Sequence, residues 1–146
     1  MFNSDGAQRT TNVSESDNVS LSSGQERDLL CTFSYLHLAC GQSAECVALL
    51  RLIVGNYSRD VDLLRILAYA LISEGLGGEA LQVLDRLDTL DDEPSARISL
   101  TLLRSHALRR AGLIDEALAA FQRYVSLRDT GLINQRSEGP HDQRPA

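Results

Sequence analysis

The residues best suited to chemistry are an imidazole and two thiols within ten positions, His37-x-x-Cys40 and Cys46. Soft donors at that density are the raw material of a zinc site, which closes with four ligands. The sequence supplies no CxxC pair and no fourth ligand, and Cys46 falls in an apolar column of a repeating pattern. "DTLDDE" at 88–93 gathers carboxylates that would suit a hard cation, but it lacks the spacing of a calcium loop and reads as a solvated turn. The remaining histidines are His106 and His141. There is no glycine-rich phosphate cradle and no nucleophile elbow. The expectation is a protein without catalytic residues, metal or cofactor. Arg104, Arg109 and Arg110 form a basic cluster that either faces solvent or docks an acidic segment of a partner.

Composition narrows the classes further. The chain has 146 residues and a net charge of −6, and aromatic residues make up only 5%. Phosphate neutralisation needs basic residues, so nucleic acid and anionic membrane surfaces are disfavoured partners. No apolar run reaches the length needed to span a bilayer, and no basic-then-apolar leader opens the chain. Three cysteines, an odd number in apolar surroundings, predict reduced thiols in a cytosolic protein.

The elements that would position these residues are helices. Residues 1–24 are rich in Ser, Thr, Asn, Asp and Gly, lack apolar periodicity and are expected to be a disordered tail, or else a polar export signal. Ser23 and Glu26 have capping-box spacing before an apolar run, which predicts an ordered start near Ser23. From 25 to 129 the pattern is helical, and Pro94 is the one proline. Residues 130–146, with two prolines, are expected to be a second disordered tail.

The helical stretch repeats itself. Gly41 and Gly75 are 34 residues apart, as are Cys46 and Ala80, and Glu45 and Glu79. Ala80 and Ala117 are 37 apart, which is the same period with a three-residue insertion at 91–97. A 34-residue helix–turn–helix period is the tetratricopeptide signature. Three units result: 27–60, 61–94 and 98–131. Each predicts helix A, a glycine turn (Gly41, Gly75, Gly112), and helix B carrying a small residue four before a large one. Those pairs are Cys46 and Leu50, Ala80 and Leu84, and Ala117 and Phe121. The small residue admits close packing against helix A, where Ser34, Ala68 and Ser105 match it, and the large one fills the groove toward the next helix. Arg104 stands where the period expects Leu. The fold class expected is all-α: three tetratricopeptide-like helix pairs in a right-handed solenoid between disordered tails.

Such an array lines a concave face with its A helices, and that face binds an extended peptide or a helix. Three columns predict the lining: Tyr35, Tyr69 and His106; Cys31, Arg65 and Leu102; Leu38, Ile72 and Arg109. The mix favours an apolar helix or strand as ligand, unless the tyrosines merely pack between repeats. At the other extreme of the array, Phe121, Tyr124 and Val125 have no capping helix after them and form an uncapped C-terminal face, which another chain or the N-terminal tail would cover.

"LLCTFSYLHLACGQSAECVALL" (29–50) and "ALAAFQRYVSLRD" (117–129) resemble the small tetratricopeptide chaperones of bacterial type III secretion, of the YscY (SctY) type. The resemblance spans roughly 26–129 and is most specific in the Cys40–Gly41 pair and the last-helix string. It implies a cytoplasmic, non-enzymatic chaperone that binds a small early-exported partner of the YscX type and helps it reach the inner-membrane export gate. The long polar segment before the first helix departs from that family. Two other readings stay open: a needle-subunit chaperone of the same system, and a generic tetratricopeptide adaptor.

Overall fold

The computed structural model of the protein describes residues 22–137. The expectations for residues 1–21 and 138–146 lie outside the described residues. Six α-helices run in order: α1 Ser23–Ala39, α2 Ser43–Ile53, α3 Val61–Ser73, α4 Gly77–Leu90, α5 Pro94–Arg110 and α6 Ile114–Ser137. The described residues contain no strand. The protein is all-helical.

The three turns inside the pairs are copies of one another. Gly41, Gly75 and Gly112 have φ of 74°, 78° and 82°. A side chain is strained in that left-handed region and glycine is not. Each glycine N–H bonds to the carbonyl three residues back (Leu38, Ile72, Arg109). The next N–H reaches five back, to His37, Leu71 and Leu108. This is a Schellman end, which satisfies the orphan carbonyls of helix A and turns the chain into helix B.

Packing is between near neighbours. Each helix touches the next in sequence, and α3 also touches α1 and α5; no other pair is in contact among the described residues. The most enclosed element is α3, which packs on α1, α2, α4 and α5. Accordingly Leu63, Leu64, Ile66, Leu67, Ala68, Ala70 and Leu71 are all buried, almost around the whole helix. By contrast, α6 buries only Ala117 and Ala120. The small column of the A helices is buried throughout: Ser34, Ala68 and Ser105.

Gly77 marks the tightest approach. A Cβ there would lie 2.5 Å from the carbonyl oxygen of Ala107 and closer still to the amide of Ala111. The first turn of α4 therefore lies against the backbone at the end of α5.

Four boundaries differ from the sequence expectation. The capping box sits one residue earlier. Ser22 Oγ accepts from Gln25 N at 3.3 Å, and Gln25 Oε1 accepts from Ser22 N at 3.0 Å. Two overlapping S-x-x-[EQ] frames exist here, and local sequence does not choose between them. Ser23 and Gly24, assigned to the tail, belong to α1. The insertion at 91–97 is no simple loop: Pro94 takes the first position of α5, where it gives up no hydrogen bond, and the extra residues lengthen that helix. Finally, α6 continues to Ser137, through residues 130–137 of the expected C-terminal tail. Gly131 is helical there and faces Ile98, whose Cδ1 would lie 3.7 Å from an added Cβ.

Candidate partner-binding surface

Because α1 and α3 pack together, residues 34 apart on them come side by side. Tyr35 and Tyr69 do so, and they are 63% and 55% exposed. They are not filler between repeats. With Leu38, Ala39 and the buried Ile66 they line an open pocket of 330 Å³. A tyrosine pair over an apolar floor offers large rigid faces with polar tips, the kind of surface that grips an amphipathic partner.

The rest of the expected groove divides. His106, third in the tyrosine column, and Arg109 line a different pocket of 350 Å³ with Ser105, Ile114, Ala117, Leu118 and Phe121. That pocket joins the end of the A-helix face to the C-terminal face. Ile72 and Cys31 are partly buried against the main core and line neither pocket. Burial pushes the Cys31 thiol up, against the opposing pull of Arg27, so the thiol is protonated at neutral pH. Leu102 is half-buried and also lines neither pocket. Arg65 is committed elsewhere: it pairs with Asp91, whose side chain is nearly buried, and lies 3.8 Å from Asp62. It ties α3 to the α4–α5 connection.

On the C-terminal face the three expected residues are found together. Phe121 is 45% exposed, while Tyr124 and Val125 are half-buried. The rings of Phe121 and Tyr124 are 5.9 Å apart and tilted by 37°, and Arg128 stands 6.0 Å from the Tyr124 ring. Leu118, Leu132 and Ile133 extend the exposed apolar surface along α6.

The basic cluster of α5 also separates. Arg104 is held by Asp85 at 2.8 Å and Asp88 at 2.6 Å, both on α4. This explains how an arginine occupies a leucine column: its aliphatic stem packs while its head reaches two carboxylates. Arg109 and Arg110 are exposed and have no ion-pair partner among the described residues. Asp88 and Asp91, read as part of a solvated turn, are thus anchors of the array.

A further charge network was not legible in the sequence. Asp60 caps α3, accepting from the amides of Asp62 and Leu63 at 3.1 Å each. Arg27 of α1 grips it with two bonds, of 2.7 and 3.1 Å, and also pairs with Asp62 at 2.5 Å. The Arg27 guanidinium, aided by the two amides and opposed by burial, holds the Asp60 carboxyl below its usual range. An aspartate directly before an apolar helix signals the cap; nothing local signals an arginine 33 residues earlier.

The thiol–imidazole group does not converge. His37 Nδ1 lies 2.9 Å from Gln42 Oε1, Cys40 is exposed, and Cys46 is fully buried with its thiol pushed up by burial. Among the described residues no three His, Cys, Asp or Glu side chains are grouped to hold a metal ion, and no described helix is long and apolar enough to cross a membrane. In comparisons with known proteins, no family model matches the chain and no curated protein is significantly similar to it.

Proposed function

We propose that the protein is a tetratricopeptide chaperone of the YscY type, cytoplasmic and non-enzymatic. In this reading its helix pairs are three repeats of a right-handed solenoid, and α1, α3 and α5 form the concave face. That face holds a small, early-exported partner of the YscX type and helps deliver it to the export gate in the inner membrane. The observation that carries the reading is the open apolar pocket under Tyr35 and Tyr69, since both rings stay exposed in a chain poor in aromatics. The 34-residue steps, the three matching glycine turns and the neighbour-only packing support the repeat scaffold.

The mechanism is shielding. A partner that cannot fold alone exposes apolar side chains, and each Å² covered contributes about 25 cal/mol. Ordering the partner offsets part of that gain, so binding stays reversible enough for hand-over. The free Arg109 and Arg110 at one end of the face favour a segment with acidic residues beside its apolar stripe.

The test is capture of the tagged full chain from its native host, with mass spectrometry of what co-purifies in a one-to-one ratio. A small exported protein, together with an inner-membrane export component, is expected. A needle subunit in its place would make the protein the needle-subunit chaperone. Unrelated signalling or envelope proteins would overturn the secretion reading and leave an adaptor.

A further inference from the structure

Both ends of the array are open among the described residues, and the repeat register says what each end fits. At the first joint α3 packs on α1 and α2; at the second α5 packs on α3 and α4. The incoming helix presents matching columns each time: Leu63, Leu67 and Ala70 on α3, then Leu100, Arg104 and Ala107 on α5. All but Arg104 are buried. The same columns on α1, 34 positions before those of α3, hold Leu29, Phe33 and Leu36, and all three are exposed.

The receiving surface repeats as well. Ser34, Cys46 and Leu50 are buried in the first pair, and Ala68, Ala80 and Leu84 in the second. Their counterparts in the third pair are Ser105, Ala117 and Phe121, and these line the 350 Å³ pocket. The pocket is the place a subsequent A helix would occupy.

The paired columns change together. At the second joint Arg104 meets Asp85 and Asp88 of α4. The counterparts of those acids on α6 are Gln122 and Val125, and the counterpart of Arg104 on α1 is Phe33. The carboxylates are missing from the receiving helix where the guanidinium is missing from the entering one. At the crossing point, where Gly77 approaches Ala107, the two free ends carry Ile114 and Leu36, both exposed. A joint made from them is wider than the internal one and apolar through its centre.

We infer that the α5–α6 socket takes α1 of a second copy of this chain, so that copies join head to tail. The contact is heterologous, leaving a plug and a socket free after each addition. Every copy carries a net charge of −6, so added salt strengthens the association by screening repulsion. This inference rests on the repeat register and not on the identity of any exported partner.

The test is sedimentation velocity of the full chain across the micromolar to millimolar range, with reductant present because Cys40 is exposed. The average mass is expected to climb past twice the 16.0 kDa of one chain. Phe33→Asp removes the plug and Phe121→Asp the socket, so each variant alone is expected to stay monomeric. An equimolar mixture is expected to form a complex of two chains and no larger species. If either variant loses helix content, Leu29→Glu and Leu118→Glu replace them. A wild-type chain that is monomeric throughout overturns the inference. So does wild-type association combined with a mixture that stays monomeric, because a symmetric contact behaves that way.

Discussion

Leu84 and Phe121 occupy one column of the repeat, four residues after the small residue of helix B, yet Leu84 is fully buried and Phe121 is 45% exposed. The difference lies in the neighbouring helix. After α4 comes α5, which packs on it; after α6 no further helix is described. In a neighbour-only array a side chain's burial is decided by the next unit rather than by its own. The same residue column is therefore core inside the array and interaction surface at its end.

The largest expected effect is on that column. Leu84→Ala should destabilise by about 2–5 kcal/mol, the cost of a buried leucine cavity, whereas Phe121→Ala should cost about 1 kcal/mol or less. Urea unfolding of both variants measures the contrast, and equal losses would remove the distinction between inside and end.

A second contrast concerns neighbouring glycines of α4. Gly77→Ala should cost about 1–3 kcal/mol because the added carbon meets backbone atoms of α5 that cannot move aside. Gly78→Ala meets open space and should be neutral or stabilising by up to about 1 kcal/mol. Thermal unfolding of the pair sharpens where the second joint is tight.

The first joint has its own lock, the Arg27–Asp60 pair. Asp60→Asn keeps a capping side chain but removes the charge, so it should cost about 1 kcal/mol at pH 7. The folded-state pKa of Asp60 is lowered, so its contribution is complete above the unfolded value of about 3.9 and is lost as pH falls through the folded one. The stability gap between wild type and Asp60→Asn should therefore close in acid. A gap that persists below both pKa values would contradict the pairing.

The smallest contrast sets Ser34 against Ser105. The Ser34 hydroxyl is buried without a partner, while Ser105 Oγ donates to the Leu102 carbonyl at 2.8 Å. Ser34→Ala should be neutral or slightly stabilising, and Ser105→Ala should cost about 0.5–1 kcal/mol. Denaturant midpoints of the two variants measure the difference.

The features legible in the sequence are those that repetition enforces. The glycine turns and the small columns stood out because each must recur wherever one helix crosses another. Phe121, Tyr124 and Val125 could be placed on an open face because no periodic helix pattern comes after them. Less legible was anything decided between distant residues. Arg65 appeared as a groove residue, since nothing near it announces Asp91. Arg104 appeared as a mismatch, since its acids lie on the preceding helix. The end of α6 was misplaced because polar composition and Gly131 suggested a tail, although a glycine packed near Ile98 does not stop a helix. Of the nine expected groove residues, Tyr35, Leu38 and Tyr69 meet in one pocket and His106 and Arg109 in another, a division set by where the last joint is left open.

The central claim is tested most directly by capture of the native partner by the wild-type chain and by Tyr69→Asp, with helix content measured by circular dichroism. Tyr69 is exposed over an apolar pocket, so the expected result is at least about a tenfold loss of bound partner with helix content unchanged. Undiminished capture by a folded Tyr69→Asp chain would contradict the claim that the tyrosine face is the binding surface.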